Sequence, residues 1–487
     1  MTSSATDTEL VAAPKRHRVK GSAAVVHLSL GERAARGKAA RAEVPRRVHG
    51  AWEPALGRRD PVDLLEEQAQ SRVPELLPIR YGRMLVSPFT FYRGAAYLMA
   101  ADLAGSPRTD LHVQLCGDAH LSNFGGFAAP DRRLVFGLND FDETLPGPFE
   151  WDLKRLVASF AVAGRDRGFD VRQRRRVNLT VARAYREAMR NLASMRTLDL
   201  WYSRVDMDEI VRIARRQGTA KQVARLDKNL AKARSKDSLR AFDKLTTMVD
   251  GEPRIVADPP LIVPIEDIAE GHDRDAIEGF VHDTIRGYRR TLQGDRRRLL
   301  ERFRYVHAAR KVVGVGSVGT RAWIVLLVGH DNDDPLFLQA KEAQASVLEP
   351  FLGNSEYASH GQRVVEGQRL MQAASDIMLG WERVSAPDGV DRDFYMRQLW
   401  DHKGSAIVDM MDPTALGVYA RLCGQTLARA HARSGDSVAI ASYMGSSESI
   451  DRRMADFAEI YADQNERDFQ ALNDAVRSGR IEATPGL

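Results

Sequence analysis

A loop and the strand that follows it carry the residue types that phosphoryl transfer requires. The loop reads Gly117-Asp118-Ala119-His120-Leu121-Ser122-Asn123, and the next strand ends at Asn139-Asp140-Phe141-Asp142. Phosphoryl transfer needs a carboxylate that receives the proton of the attacking group, and metal ions on the phosphates. Asp118 is the candidate catalytic base, with His120 beside it. Asn123, Asp140 and Asp142 offer the oxygen ligands that Mg²⁺ prefers. The pattern therefore predicts a magnesium–nucleotide site.

Two other interpretations of these residues stay open. Asp118 and Asp140 could cap turns, with His120 packed against them or holding the loop by a side-chain hydrogen bond. Alternatively, the same three residues could bind zinc or iron. Sites of that kind commonly use several histidines, and the sequence places no second histidine at close spacing to His120. The magnesium–nucleotide interpretation therefore remains the favoured one.

A glycine-rich segment, Gly314-Val315-Gly316-Ser317-Val318-Gly319, is the second candidate. In a dinucleotide-binding fold this spacing would open a helix after a parallel strand. Here another apolar, strand-like run follows at residues 321–328. A glycine turn between antiparallel strands is typical of the loop that covers nucleotide phosphates in kinases. Gly314, Gly316, Ser317 and Gly319 are therefore candidate phosphate contacts, and an ordinary glycine-rich hairpin is the alternative.

Lys341 is the third candidate, because it ends an apolar strand predicted over residues 336–340. A lysine in such a place needs a paired charge. Glu366, in the next predicted helix, is the expected partner, since a Lys–Glu pair accompanies the phosphate-binding lysine of kinases. Glu342 and Glu349 are competing partners. An edge-strand lysine that reaches solvent is the alternative.

Composition limits the class of protein. The chain has 487 residues, a net charge of +5 and 44% hydrophobic residues, which suits a large enzyme core or a few domains. Its two cysteines do not make a disulfide framework or a zinc site. We find no secretory leader and no apolar run of about 20 residues, so we expect a cytoplasmic protein without a membrane span.

The pattern of elements predicts an α+β fold. Residues 1–60 are basic and are expected to form a disordered arm, which could also bind anionic partners by charge. Residues 61–310 are mostly helical and contain the catalytic loop. Strands with one helix follow at residues 311–405 and predict a small antiparallel sheet. Residues 406–487 are helical and complete the large lobe.

Residues 115–153 resemble the catalytic segment of aminoglycoside phosphotransferases and of related choline- and homoserine-kinase-like enzymes. The resemblance is carried by the 117–123 loop, by Asp140-Phe141-Asp142-Glu143 and by Trp151-Asp152-Leu153. It implies that Asp118 is the catalytic base, that Asn123 and Asp140 bind the metal, and that Asp152 is a buried structural acid. ATP and Mg²⁺ are the implied cofactors. Those families have a histidine where this chain has Cys116, so that contact is lost.

The order of these parts differs from that of kinases, in which the glycine-rich loop and the lysine strand come before the catalytic loop. Here they come after it. Leu427-Ala428-Arg429-Ala430-His431-Ala432 resembles the helix that directly precedes the catalytic loop in aminoglycoside phosphotransferases, yet it lies near the C-terminus. A circular permutation accounts for this order. We therefore expect a circularly permuted, kinase-like two-lobe fold in which residues 117–123 and 314–341 share one cleft.

Nearly the whole chain after the basic arm also resembles the bacterial family catalogued as domain of unknown function 2252. Its marks include Ser87-Pro88-Phe89, Cys116-Gly117-Asp118-Ala119-His120 and Lys341-Glu342-Ala343. The kinase resemblance implies an ATP- and Mg²⁺-dependent phosphotransferase acting on a hydroxyl of an unidentified small molecule. The alternative is a nucleotide-binding regulatory module on a degenerate kinase-like fold. A third hypothesis is an interaction protein that uses its basic arm.

Overall fold

The computed structural model describes residues 26–217, 237–268, 274–385, 389–399 and 404–486, with positions 224, 227, 228, 231, 235 and 402. Within these residues the chain combines helices with antiparallel sheets, which confirms the predicted α+β class. Over the same stretches of chain, no helix has the length and apolar character that crossing a membrane would take.

Helices make up most of the described chain. The N-terminal helices are α1 (Leu30–Glu43), α2 (Pro61–Ala69), α3 (Leu77–Met84), α4 (Pro88–Gly94) and α5 (Ala96–Ala104). The central helices are α6 (Phe149–Asp166), α7 (Val171–Ala193), α8 (Thr197–Tyr202), α9 (Met207–Gln217), α10 (Ser238–Leu245), α11 (Ile265–Ile268), α12 (Arg274–Thr291), α13 (Gly294–Leu300), α14 (Glu349–Leu352) and α15 (His360–Met371). The C-terminal helices are α16 (Pro413–Ser434), α17 (Ser437–Met444) and α18 (Ser449–Arg477). Short 3-10 turns lie at Arg46–Gly50, Pro74–Leu76, Leu121–Asn123 and Val408–Met410.

The strands form several antiparallel sheets. They are β1 (His112–Leu115), β2 (Phe124–Ala128), β3 (Leu134–Leu138), β4 (Leu145–Pro148), β5 (Val205–Asp206), β6 (Thr246–Val249), β7 (Glu252–Ile255), β8 (Ile262–Pro264), β9 (Arg304–Lys311), β10 (Ala322–Val328), β11 (Pro335–Ala343), β12 (Gly380–Ser385), β13 (Asp391–Gln398) and β14 (Gly404–Ser405). The largest sheet has six strands in the order β12-β13-β11-β10-β9-β8. A second has the order β14-β2-β3-β5, and β1 pairs with β4 and β6 with β7.

The six-stranded sheet begins earlier in the chain than the predicted small lobe of residues 311–405. Strands β8 and β9 lie in the stretch that the sequence predicts to be the helical lobe. Helix α10 and the β6–β7 hairpin pack on one face of the sheet, and α12 and α13 pack on the other. The predicted boundary is therefore wrong. Strand β9 has basic residues at both ends, Arg304 and Lys311, which hid it within the basic helical pattern before it.

Part of the predicted disordered arm is folded. Residues 1–25 lie outside the described residues, but residues 26–60 contain helix α1 and a 3-10 turn. Helix α1 begins at a capping box, in which the Ser29 side chain accepts a hydrogen bond from the Glu32 N–H and the Glu32 side chain accepts one from the Ser29 N–H. The prediction of disorder is therefore wrong for this stretch, because its basic composition concealed a capped helix.

Helix α1 packs against α17, far along the chain. An added Cβ on Gly37 would overlap the carbonyl oxygen of Ala439, so the two helices touch at their backbones. Arg41 Nε donates to the carbonyl oxygen of Tyr443 at 2.9 Å, near the end of α17. Cationic side chains stabilise the C-terminal end of a helix, where carbonyl groups lack partners. A basic residue of the arm therefore has a structural role.

Helix α6 runs through the main hydrophobic core, and nearly its whole length is buried. It packs on α7, on α18 and on β1. A helix that is surrounded on all sides is expected to be apolar all round. Asp152 and Arg155 are exceptions, and both are buried within it. Buried charges require partners, and both of these side chains find them in the loop that follows β1.

The end of α16 lies beside the start of the catalytic segment. The backbone N–H of Gln114, in β1, donates to Ser434 Oγ at 3.0 Å. The two residues are 320 positions apart in the chain. The helix that contains His431 and the strand that leads into the 117–123 loop are therefore neighbours in space, although they lie near opposite ends of the sequence.

Candidate active site

The 117–123 loop begins with a turn that only glycine suits. Gly117 has a φ of +82°, and an added Cβ would overlap the carbonyl oxygen of Glu143. Asp152 accepts hydrogen bonds from the backbone N–H groups of Cys116, at 2.6 Å, and of Gly117, at 3.0 Å. His431 Nε2 lies 3.1 Å from the same carboxylate. Asp152 is buried, as the resemblance implies, and it joins His431 to the start of the loop.

Asp118 lies at the floor of the loop and is held by Arg155. Arg155 Nε donates to Asp118 Oδ1 at 2.9 Å, and Arg155 Nη2, which donates to the carbonyl oxygen of Tyr92, lies 2.8 Å from the same carboxylate oxygen. Burial raises the pKa of Asp118, and Arg155 offsets only part of that effect. Asn123 donates its side-chain N–H to the carbonyl oxygen of Asp118 at 2.7 Å. Asp118 Oδ2 is therefore the oxygen that Arg155 leaves available for chemistry.

His120 stands next to Asp118 but does not form a close pair with it. Its Nε2 is 3.7 Å from Asp118 Oδ2, and its side chain is 5% exposed. Burial lowers the pKa of His120 well below its ordinary value, and the charges of Arg93 and Arg155 lower it further. His120 is therefore neutral near pH 7. It lines the site as an uncharged polar side chain and not as a cation.

Asp142 is the centre of a small polar cluster. Lys341 Nζ donates to Asp142 Oδ2, and Tyr395 Oη donates to Oδ1 at 2.6 Å. Lys341 Nζ also lies 3.7 Å from Asp140 Oδ1. Burial favours the neutral forms of Asp142 and Lys341, yet charge attraction outweighs it: Lys341 lowers the pKa of Asp142, and Asp140 and Asp142 raise that of Lys341. Both side chains are therefore charged.

Lys341 lies inside the sheet, and its predicted partner is wrong. Strand β11 runs between β10 and β13, and Lys341 is 3% exposed, which excludes an edge-strand residue that reaches solvent. Glu366 instead forms an ion pair with Arg369 at 3.1 Å. Glu366 and Arg369 lie one turn apart on α15 and pair with each other. The ammonium group is neutralised by Asp142 and Asp140.

Helix α15 contributes Arg363 rather than Glu366 to the site. Arg363 donates to the carbonyl oxygens of Thr144 at 2.7 Å, of Asp142 at 2.9 Å and of Gln344 at 2.8 Å. One buried guanidinium group therefore ties α15 to the turn after β3 and to the chain that follows β11. It joins segments about 200 residues apart, because Gln344 and Asp142 meet at the same side chain.

The glycine-rich segment connects two antiparallel neighbours, β9 and β10, as predicted. Gly314 and Gly319 have φ values of +67° and +91°, which other residues rarely adopt. Arg72 Nη1 donates to the carbonyl oxygen of Val318 at 2.5 Å. The backbone N–H of Val73 donates to the carbonyl oxygen of Gly319 at 2.8 Å. The segment is therefore a loop fixed on one side by the chain after α2.

A cavity of about 590 Å³ lies between the catalytic loop and the glycine-rich loop. The predicted residues that line it are Asp118, His120, Asn123, Asp140, Asp142, Gly314, Gly316 and Ser317. Ser317 Oγ lies 3.4 Å from Asp142 Oδ2, so the two halves meet across the opening. Lys341 supports the wall through Asp142, whereas Gly319 and Glu366 are outside the lining. The expectation of a cleft shared by residues 117–123 and 314–341 agrees with this arrangement.

Side-chain oxygens are available to bind Mg²⁺ at two of the three predicted positions. Asn123 uses its N–H on the carbonyl oxygen of Asp118, which leaves its amide oxygen as a possible metal ligand. Asp140 lines the same cavity. Asp142 fits less well, because both of its oxygens already accept hydrogen bonds. In the described stretches no three His, Cys, Asp or Glu side chains form a metal-binding group. Magnesium commonly binds one or two carboxylates together with phosphates and water.

Sequence reasoning missed Arg155, Arg363 and Tyr395. Arg155 was detectable, because it lies three residues after Asp152 on an apolar helix, which places the two charged side chains on the same face of that helix. Arg363 offered a weaker signal, as a charge within a helix that is otherwise half apolar. Tyr395 gave no signal, since a tyrosine in a strand usually packs in a core. Only the pairing of β13 with β11 places it near Asp142.

Residues 72–475 match a family described as an uncharacterized protein conserved in bacteria (DUF2252). No curated protein and no solved structure matches the chain. The match includes every predicted site residue from Asp118 to Glu366. It covers most of the sequence, and the chain therefore belongs to this bacterial family, as its motifs indicate.

Proposed function

We propose that the protein is an ATP- and Mg²⁺-dependent phosphotransferase that acts on a hydroxyl group of a small molecule. The observation that carries the proposal is the meeting of Lys341 with Asp140, at 3.7 Å, in the wall of a cavity that also contains Asp118. A buried lysine, a carboxylate at a strand end and a second carboxylate in a tight loop are the parts that kinases use. Here they converge from distant sequence positions.

The order of elements supports a permuted kinase-like fold as part of this proposal. A glycine-rich loop joins β9 to β10, the lysine lies on the next strand, β11, and helix α15 follows. Kinases have the same succession, with the lysine on their third strand. Helix α16 ends beside β1 through the bond between Gln114 and Ser434. Joining these two points would restore the kinase order of helix followed by catalytic loop.

The proposed reaction needs little covalent work from the protein. An acceptor oxygen attacks the terminal phosphorus of ATP, a new P–O bond forms, and the bond from that phosphorus to the bridging oxygen breaks, so that ADP leaves. Asp118 Oδ2 receives the hydroxyl proton, and the raised pKa of Asp118 makes it a better proton acceptor. Arg155 holds the carboxylate in place. Bound Mg²⁺, held by Asn123 and Asp140, would supply positive charge to the phosphates.

A nucleotide-binding regulatory module is the second candidate. The observation that favours it is the engagement by cations of two cavity carboxylates, the proposed base and a predicted metal ligand. Asp118 is paired with Arg155, and Asp142 is paired with Lys341. A site that only binds nucleotide would tolerate such pairing, because no proton transfer is needed. Both candidates predict nucleotide binding, and only turnover separates them.

Substitution of Asp118, the proposed base, distinguishes a phosphotransferase from a regulatory module. We expect Asp118→Asn to lower ATP consumption by about 10²- to 10⁴-fold in the presence of a panel of hydroxyl-bearing metabolites, because a general base typically contributes that much. Nucleotide affinity should change little. Asp199→Asn, at an exposed position on α8, is the matched control and should keep full activity. Activity that survives Asp118→Asn would remove Asp118 from its role, and nucleotide binding without turnover in the unaltered protein would favour the regulatory module.

A further inference from the structure

Three arginines stand on the side of the cavity formed by the N-terminal helices: Arg72 and Arg80 are buried, and Arg93 is half-buried. Arg72 and Arg93 line the cavity, and Arg80 lies behind them. Within the described chain none of the three forms an ion pair with a carboxylate. A buried guanidinium group without a counter-charge is costly, because it loses water and gains no opposite charge. Their arrangement therefore requires an explanation.

Arg93 carries the clearest signal. Its side chain makes no hydrogen bond or ion pair with any residue that the structure describes, and its Nε is buried without a partner. Asp118, Asp409 and Asp140 are close enough for their charges to act on it. Asp118 and Asp140 already have cations, since Arg155 holds Asp118 and Lys341 neighbours Asp140, and Asp409 is exposed to solvent. Arg93 thus faces the region between the proposed base and the proposed metal ligand, with its hydrogen-bonding capacity unused.

Arg72 and Arg80 reinforce the positive charge. Arg72 is 8% exposed and donates to the carbonyl oxygen of Val318, while its Nε has no partner. Arg80 is fully buried, donates to Gln68 Oε1 at 2.7 Å, and leaves Nε and Nη1 unused. Burial, together with the charge of Arg80, lowers the pKa of Arg72 to about 9. Arg72 and Arg80 are neighbouring cations, and one bound anion would stabilise both of their charges.

We propose that Arg93 and Arg72 form an oxyanion-binding subsite in this cavity that takes a phosphate group. Guanidinium groups bind phosphate through paired hydrogen bonds, and such bonds are strong where water is excluded. The backbone of the glycine-rich loop lies close to that of Arg93, because an added Cβ on Gly316 would meet the carbonyl oxygen of Arg93 at 3.1 Å. Arg93 therefore stands where positive charge would stabilise a phosphoryl group in transfer.

The phosphate could belong to the nucleotide or to the acceptor. The position of Arg93 between Asp118 and Asp140 favours the terminal phosphate of the nucleotide. That assignment rests on the proposed function, whereas the oxyanion subsite itself does not. The two sources give different results with three probes: inorganic phosphate, Mg·ATP and adenosine.

The test measures binding of these probes by calorimetry to the full chain and to Arg93→Gln. We expect Arg93→Gln to weaken binding of inorganic phosphate and of Mg·ATP by about tenfold or more, and to leave adenosine binding unchanged. Arg429→Gln is the matched control, because burial also lowers the pKa of Arg429 and it lies in a different part of the fold. It should bind all three probes as the unaltered protein does.

A second measurement separates ligand binding from a structural role. Because Arg93 has no partner among the described residues, Arg93→Gln should keep or raise the melting temperature of the ligand-free protein. A lower melting temperature or a failure to fold would assign Arg93 a structural role and overturn the proposal, as would phosphate binding that is absent in the unaltered protein or unchanged in Arg93→Gln. If only inorganic phosphate binding weakens, the acceptor supplies the phosphate. If phosphate binding depends on Arg93 but Mg·ATP does not bind at all, the subsite stands and the proposed function fails.

Discussion

Burial controls the charge state of single residues around the cavity, and Glu143 shows the effect most clearly. Burial raises the pKa of Glu143 to about 7, while a hydrogen bond from the Val347 N–H at 2.8 Å and the charge of Arg363 offset part of the rise. The folded protein therefore binds a proton at Glu143 in a pH range where the unfolded chain, with a pKa near 4.5, has lost it. Above that range the charged Glu143 destabilises the fold.

The Glu143→Gln substitution should remove this pH dependence. Relative to the unaltered protein, the variant should gain stability as the pH rises from about 5 to 8, by about 1–3 kcal/mol, with water in the cavity reducing the effect. Little difference is expected near pH 5, where the folded protein already carries the proton. Urea unfolding at pH 5 and pH 8 measures the change. A difference between the two proteins that is the same at both values would show that Glu143 does not titrate in this range.

Turns and helix faces decide which side chains reach the site. The turn at Gly117 aims Asp118 into the cavity, α6 supplies Asp152 and Arg155 to hold that turn, and α15 supplies Arg363. These elements are adjacent to the loop in space and distant from one another in sequence. The positions of the site residues therefore depend on the contacts between these elements.

A pair of glycine substitutions tests how the turn at Gly117 packs against Glu143. Gly117→Ala should destabilise the protein by more than about 2 kcal/mol, because it combines a positive φ with overlap against the Glu143 backbone. Gly168→Ala is the control. Gly168 also has a positive φ, +69°, but has open space around its added Cβ, so about 1 kcal/mol is expected. Chemical unfolding compares the two, and equal losses would contradict the packing of the turn on Glu143.

The sequence predicted the local elements of the site better than it predicted the contacts between residues that are distant in the chain. The 117–123 loop, β3 and the glycine-rich loop were predictable because turn residues and apolar runs are local signals. The Lys341–Glu366 pair was wrong because helix α15 turns Arg363, not Glu366, toward the 142–144 turn, and the facing side of a helix depends on what it packs against. Arg155 was missed although its spacing from Asp152 pointed to it.

At the scale of the whole molecule, elements from the N-terminal and C-terminal parts of the described chain pack together. Helix α1 lies on α17, and β1 follows the end of α16 in space. The order of α1 depends on contacts about 400 residues away, such as that of Arg41 with Tyr443. Composition near the N-terminus could not reveal them, which explains why a disordered arm was predicted. The folded part of that arm is instead a piece of the helical core.

Two glycines in α1 provide a test of this contact. Gly37→Ala should destabilise the protein by more than about 1 kcal/mol, because the new methyl group would overlap the Ala439 backbone and push α1 away from α17. Gly31→Ala, in the same helix, has room for the methyl group and should stabilise by up to about 1 kcal/mol through helix propensity. Thermal unfolding of both variants measures the difference. Equal effects would mean that α1 does not dock as described.

Stability in the presence of Mg·ATP tests the central claim most directly, namely that two distant parts of the chain form one nucleotide site. At about 100 times the dissociation constant, a ligand of the folded state should add about 2.7 kcal/mol to the free energy of unfolding. We expect this gain in the unaltered protein and in Asp199→Asn, and we expect it to be lost without Mg²⁺ or in Asp140→Asn. The contradicting result is no gain in the unaltered protein at saturating Mg·ATP, or an equal gain in Asp140→Asn.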